Sequence, residues 1–238
     1  MGHSAGALSC PPTCAPMARC LPLAALLLVT LGSPVSTALA QGAARGGAKG
    51  KAAARPAATW PRFETGATGN TARYRVRERL AGKTLDNDAV GETTQVSGTL
   101  VLDAGGQVVA DSSRFSATVA GLTSDEKRRD RYVRNRILVT DSFPTTTFQA
   151  TAVRGLPAPL PTSGTVAFDL VGNLTVKGVT RPATWQVTAT VQGDQLTARA
   201  VTRFTFADFR LLQPKVSILL GVADTIALEY DVAMRRTR

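Results

Sequence analysis

Beyond residue 70 the chain alternates apolar and polar residues with a period of two, the pattern of strands buried on one face. In 72–80 (ARYRVRERL), Tyr74, Val76 and Leu80 share one face, and Arg73, Arg75, Arg77 and Arg79 the other. Residues 95–103 align Val96, Gly98, Leu100 and Leu102; 114–122 align Phe115, Ala117 and Val119; 146–156 align Phe148, Ala150 and Ala152. The inward set of 165–176 is Val166, Phe168, Leu170, Gly172, Leu174 and Val176. Segments 182–192 and 195–205 flank Gly193-Asp194, a two-residue turn that suits a hairpin. The last strand, 224–236, carries Ile226, Leu228, Tyr230, Val232 and Met234 on one side.

One segment breaks the alternation. Residues 123–138 (TSDEKRRDRYVRNRIL) read as a helix. Thr123 and Glu126 form a capping-box pattern, Asp125 and Glu126 suit the positive end of the helix dipole, and Val133 and Ile137 share a buried side. Eight two-faced strands with short turns and one short helix predict an all-β antiparallel barrel or sandwich, and a barrel removes exposed sheet edges.

The inward faces mix large residues (Phe115, Phe168, Trp185, Phe204, Tyr230) with small ones (Gly98, Ala117, Gly172, Ala189, Ala198, Ala200). Small inward residues favour a barrel that holds a ligand. Alternating large and small residues equally describe a tapered barrel filled by its own side chains. Periodicity leaves both open for the face formed by Trp185, Val187, Ala189 and Val191.

The N-terminal part bears on compartment and chemistry. Within residues 1–40, Met17 and Arg19 form a short basic start, Leu21 to Leu31 an apolar run, and Ala38-Leu39-Ala40 a small-x-small cleavage signal before Gln41. This reads as a secretory signal peptide starting at Met17, and it predicts a periplasmic or secreted protein cleaved near Ala40. Cys20 precedes the apolar run, so no lipid anchor is expected. All three cysteines and the single histidine lie upstream of residue 41. Disulfides, Cys or His metal sites, thiol nucleophiles and His general bases are therefore excluded from the mature chain. Residues 41–69, rich in Gly, Ala and positive charge, read as a flexible linker with Trp60 and Phe63 docking near its end, and 70–238 as the barrel domain.

Two segments carry a family resemblance. GNLTVKGVTRPATWQV resembles the G-x-LT-x-(R/K)-GVT-(R/K)-P signature of the YceI-like, polyisoprenoid-binding family. RRDRYVRNRILVTDSFPTTTF is similar to a second family segment, with Asp130, Phe143-Pro144 and Phe148 in matching places. The family's early-strand histidine is absent, and its R-x-D-F-G element stands here as Phe206-Ala207-Asp208-Phe209-Arg210. The resemblance implies an eight-stranded antiparallel lipocalin-like β-barrel around an elongated apolar cavity for an isoprenoid chain, in an exported protein.

On that basis the expected function is sequestration or transport of an isoprenoid lipid, a quinone or polyprenyl chain. The expected lining is Phe115, Val119, Phe168, Leu170, Trp185, Val187, Ala189, Ala198, Ala200, Phe204, Leu228, Tyr230 and Val232, and Ala198→Trp should then reduce binding more than stability. Each buried methylene favours such a tail by ~0.8 kcal/mol. No catalytic or metal residues and no cofactor beyond the bound lipid are expected. The alternative is an envelope scaffold with a self-filled barrel and a basic docking surface.

The formal net charge is +11; the helix carries Lys127, Arg128, Arg129, Arg131, Arg134 and Arg136 against Asp125, Glu126 and Asp130, and the arginine face of 72–80 adds to the basic surface. It suggests contact with an anionic membrane surface or a solvated face with local ion pairs. No aromatic-rich motif points to specific nucleic-acid binding. Glu78, inward in the first strand, is expected at the barrel rim in water. The apolar run 211–224 reads as a core-packed connection or as a flap. Carboxylate pairs such as Asp208 with Asp224 could do acid–base work in an enzyme, but nothing in the spacing of the acids selects a pair. A monomer or homodimer is expected.

Overall fold

A computed structural model describes residues 61–217 and 219–237. Its strands follow the alternation, with Thr and Val abundant where the pleat is half buried. They are β1 (Arg62–Thr65), β2 (Thr71–Leu80), β3 (Asn87–Thr93), β4 (Val96–Val101), β5 (Arg114–Thr118), β6 (Thr123–Ser124), β7 (Thr145–Arg154), β8 (Ser163–Val176), β9 (Val179–Gln192), β10 (Gln195–Thr205) and β11 (Leu219–Thr237). Helix α1 (Lys127–Tyr132) runs on into a wider π-turn over Val133–Leu138.

These pieces form one closed antiparallel barrel of eight courses. β1 pairs with β4 and β11, while β2 pairs with β3 and β11, so β1 and β2 are one course with a bend between them. Asn70 holds the bend: its side-chain nitrogen donates to Gly66 O at 2.7 Å and its oxygen accepts from Ala233 N at 2.9 Å. β3 and β4 form a second bent course, with Thr93 Oγ1 accepting from Gln95 N at 3.2 Å, and β5 and β6 a third. β7 to β11 complete the ring in sequence order, and β11 returns to β1 from Arg62↔Thr237 to Thr65↔Met234.

The signal peptide, its Met17 start, the Ala40 cleavage site and the linker as far as Trp60 lie outside the described residues. The remainder of the segment read as linker differs from that reading. Arg62–Thr65 is strand β1, and Phe63 is buried in the core under Arg236, whose guanidinium lies 5.8 Å from the ring centroid.

The helix also differs. Thr123 and Ser124 pair with Glu92 and Gly91 as a sheet edge, so the helix starts later and Glu126 is its N-cap, accepting from Arg128 N at 3.0 Å. Buried Asp130 accepts from both the amide and the hydroxyl of Ser124, at 2.8 and 2.6 Å, which holds residue 124 in the sheet rather than in a first helical turn. Val133 and Ile137 are buried against Val119, Leu122 and Tyr74.

The small inward residues have a different meaning from the one alternation suggests. A Cβ at Gly98 would come within 2.2 Å of the Phe115 ring, and one at Gly172 within 2.1 Å of Gln149 O and 2.7 Å of the Phe148 ring. These glycines make room for a neighbouring aromatic, not for a ligand.

Candidate functional site

The barrel is filled over one half of its length and hollow over the other. Midway, Trp185 stacks on Tyr230 (centroids 4.9 Å apart, planes at 11°) and Phe148 meets Trp185 edge-on at 5.8 Å. On the side toward the β9–β10 turn, Phe115, Phe168, Leu170, Val187, Ala189, Val191 and Val232 pack as a continuous core with half-buried Ala198 and Ala200 against it. On the other side lies a cavity of about 1070 Å³. It runs from Ala72 and Tyr230 to an entrance at Leu80, Lys83 and Leu85. That course is about 26 Å along β2 at ~3.3 Å per residue.

The expected lining divides at this floor. Val119, Phe204, Leu228 and Tyr230 border the cavity. Phe115, Phe168, Leu170, Trp185, Val187, Ala189, Ala198, Ala200 and Val232 do not; they belong to the filled half. Alternation identifies which side chains point inward but not their height along the barrel axis. The cavity instead uses Ala72, Tyr74, Val76 and Leu80 of β2, Ala89 of β3, Leu122, Val133 and Ile137 beside the helix, and Phe206, Leu211 and Ile226. The period-two pattern of 72–80 and the Val133–Ile137 pair were signals for most of them.

Polar groups gather at one part of the wall. Glu78 is not at a wet rim: its side chain is 7% exposed and accepts from Arg129 Nη2 at 2.8 Å and from Asn87 Nδ2 at 3.3 Å. Arg129 also pairs with Asp125. Tyr74, among Glu78, Arg129 and Asp130, has a buried hydroxyl with no hydrogen-bond partner. Burial pushes its phenol up to about 12, with Arg129 opposing and the carboxylates of Asp130, Glu78 and Asp125 adding to the rise. Burial likewise raises the Tyr230 phenol, against a hydrogen bond from Thr146.

The 211–224 segment lies across the open end. Leu211, Pro214, Val216, Leu219 and Val222 border the cavity, while Leu212 and Leu220 are exposed to solvent together with Leu85 and part of Val216. Gln213 Nε2 donates to Val222 O at 3.0 Å and ties the segment to β11.

Three of the four arginines on the outer face of β2 are paired, Arg79 being the exception among the described residues. Arg73 pairs with Glu92 and Asp231, Arg75 with Asp88 and Glu229, and Arg77 with Asp86 and Asp88. Arg199 joins from β10, 2.8 Å from Glu229. Hydrogen bonds to Asp231 and Glu229 hold the Arg73 and Arg75 guanidiniums above their ordinary pKa. Asp208 and Asp224 have local tasks: Asp208 accepts from Thr205 N at 2.7 Å, which lowers its pKa, and Asp224 accepts from Phe206 N at 3.3 Å. Among the described residues no group of three or more His, Cys, Asp or Glu side chains could hold a metal ion.

The two motif segments meet outside the cavity. Lys177 and Gly178, both at positive φ, make the β8–β9 turn. A Cβ at Gly178 would lie 2.8 Å from the Phe143 ring, so the glycine is required both by its backbone and by the packing of Phe143. The family model of the YceI-like domain matches residues 68–234. The chain belongs to the YceI-like family. No curated relative matches it.

Solved structures share the fold. A polyisoprenoid binding domain from Saccharophagus degradans, implicated in plant cell wall breakdown, superposes with a TM-score of 0.58 at 12% identity, over 74% of this chain and 98% of that one. Burkholderia cenocepacia BcnA gives 0.51 at 20% identity, over 68% and 95%. The Campylobacter jejuni YceI protein gives 0.50 at 14% identity, over 67% and 91%.

Proposed function

We propose that this YceI-like barrel is an exported, periplasmic or secreted binding protein that holds an isoprenoid lipid, a quinone or polyprenyl chain, in the hollow half of the barrel. The observation that carries the reading is the elongated apolar cavity, closed at one end by Tyr230 and open at the other. Its volume lies just above the usual range for small-molecule sites. A flexible hydrocarbon tail suits such a wall, because each buried methylene gains ~0.8 kcal/mol without a specific contact. The polyisoprenoid binding domain from Saccharophagus degradans shares the fold and supports the ligand class. Binding, rather than catalysis, is the role for which the residues are suited.

The entrance supports exchange with a membrane. Leu85 is 80% and Leu220 65% exposed, and Val216 is also exposed at the rim. Lys83, Arg128 and Lys215 stand beside or between entrance residues. Apolar tips among cations match an anionic bilayer surface, where each cation near the surface contributes about 1 kcal/mol.

Expression of the full chain in a bacterial envelope, purification without detergent, and native followed by denaturing mass spectrometry tests the proposal. A stoichiometric isoprenoid in the organic extract is expected. An empty protein that also refuses added quinone and polyprenyl lipid would leave the scaffold reading ahead.

A further inference from the structure

The charged groups closest to Tyr74 are matched with one another. Arg129 is shared by Glu78 and Asp125, and Asp130 is engaged by the amide and hydroxyl of Ser124. Among the described residues that border the cavity, the buried donor left over is the Tyr74 hydroxyl. Trp185 Nε1 is also unpartnered, but Trp185 does not border the cavity. The Tyr74 ring is fixed over Gly91, where an added Cβ would come within 2.3 Å of a ring carbon and 2.8 Å of Leu122. The hydroxyl is therefore held in place next to the space a ligand would fill. A buried donor left unpaired is unfavourable, and a ligand oxygen that accepts from it would remove that penalty.

The surroundings also state what that oxygen should be. The charges felt at the phenol are those of Glu78, of Asp130 behind the wall, of the more exposed Asp125 and of one cation, Arg129, which already has two carboxylate partners. A phosphate placed here would meet more negative than positive charge in a poorly solvated space, where unpaired ions are costly. Arg73 also borders the cavity, but it is committed to Glu92 and Asp231. Lys83 and Arg128 also border the cavity and have no acidic partner among the described residues, but both are exposed to solvent, where a phosphate would stay hydrated.

Building on the lipid-binding reading, we propose that Tyr74 and the Glu78–Arg129 pair form the head-group subsite, which selects an uncharged head with a hydrogen-bond-accepting oxygen, such as a quinone carbonyl, over a phosphate or diphosphate. Tyr74 donates to the head. The ion pair supplies a fixed, net-neutral polar wall. The tail occupies the apolar remainder of the cavity.

The test uses the full chain and one prenyl tail carried in three forms: bare hydrocarbon, benzoquinone and diphosphate. The expected order is quinone tighter than hydrocarbon by about three- to tenfold, and diphosphate weaker than hydrocarbon by about tenfold. Tyr74→Phe should bring quinone affinity down to that of the hydrocarbon, with a thermal midpoint near wild type. Glu78→Gln, which removes one of the two carboxylates that Arg129 faces and leaves it paired with Asp125 alone, should narrow the diphosphate deficit. Diphosphate binding as tightly as quinone, or a quinone preference that survives Tyr74→Phe, would overturn the subsite while leaving tail binding intact. Binding of none of the three would overturn the lipid-binding reading and the subsite with it.

Discussion

Trp185 of β9 and Tyr230 of β11 stack with centroids 4.9 Å apart and planes at 11°, and this pair separates the filled half of the barrel from the hollow half. Trp185 is 2% exposed and belongs wholly to the core, while Tyr230 presents its other side to the cavity. The face that begins at Trp185 therefore looks into packed protein, and the space for a ligand begins one residue layer above it.

Two alanines on either side of that floor should behave oppositely. Ala89 borders the cavity, so Ala89→Phe should occupy ligand space and cut lipid uptake strongly while changing stability by less than ~1 kcal/mol. Ala198 packs against the filled core, so Ala198→Trp should cost about 1–3 kcal/mol and leave uptake by the folded fraction unchanged. Denaturant midpoints and fluorescence titration with a quinone check both. The reverse pattern would place the ligand in the wrong half.

Gly172 is a packing requirement. Gly172→Ala sets a methyl against Gln149 O and the Phe148 ring, which itself supports Trp185. A loss of about 1–3 kcal/mol in urea unfolding is expected. Gly193→Ala meets nothing within 4 Å and pays only for its positive φ, roughly 1 kcal/mol.

Ion pairs outside the barrel differ in weight by burial. The Glu229 side chain is 9% exposed and is bridged by Arg75 at 3.0 Å and Arg199 at 2.8 Å. Arg77 is 61% exposed. Arg77→Ala should be near neutral, within ~0.5 kcal/mol. Glu229→Ala should cost about 1–3 kcal/mol through the lost charged hydrogen bonds, and that loss should change little in high salt, because a buried carboxylate is poorly screened. Equal effects in thermal melts would count against a burial-weighted network.

Alkaline stability should report Tyr74. Unfolded tyrosine ionises near pH ~10, whereas the Tyr74 phenol is pushed up to about 12. Between these values the folded state holds the proton that the unfolded state has lost, so stability falls as pH rises through this window and is fully present below it. Tyr230, also raised by burial, adds in the same direction. Denaturant midpoints measured upward from pH ~9 should decline, and Tyr74→Phe should flatten part of the slope. A wild-type profile with no decline would refute the assignment.

Much of the barrel is legible in the sequence because alternation follows directly from the pleat. One strand in each of the eight courses, the Gly193-Asp194 turn and the buried side of Val133 and Ile137 follow from spacing, whereas β3 (Asn87–Thr93), with only Ala89 and Val90 apolar, lies outside every predicted strand. β1 escaped because its four residues sit in a Gly/Ala-rich stretch, where only Phe63 hinted at a strand. The late helix start escaped because Ser124 and Asp130 form a contact that a capping pattern does not encode. The cavity wall was partly misplaced for the reason seen at Gly98: an inward glycine gives the same signal whether a ligand or a Phe115 ring fills the space above it. Glu78 was expected in water because its partner Arg129 lies 51 residues away in sequence.

The pairing of β1 with β11 has a consequence for how the fold is reached. Thr237 Oγ1 meets Arg62 O across 175 residues of sequence. The earliest strand therefore finds its second neighbour only after the latest one is made, and until then the sheet is an open ribbon with two unpaired edges. Such long-range closure is slow, and the waiting edges invite pairing with other chains. During assembly the protein depends on its seam staying free of competitors, and a short deletion of the β11 end should reveal that dependence as aggregation before any effect on the cavity.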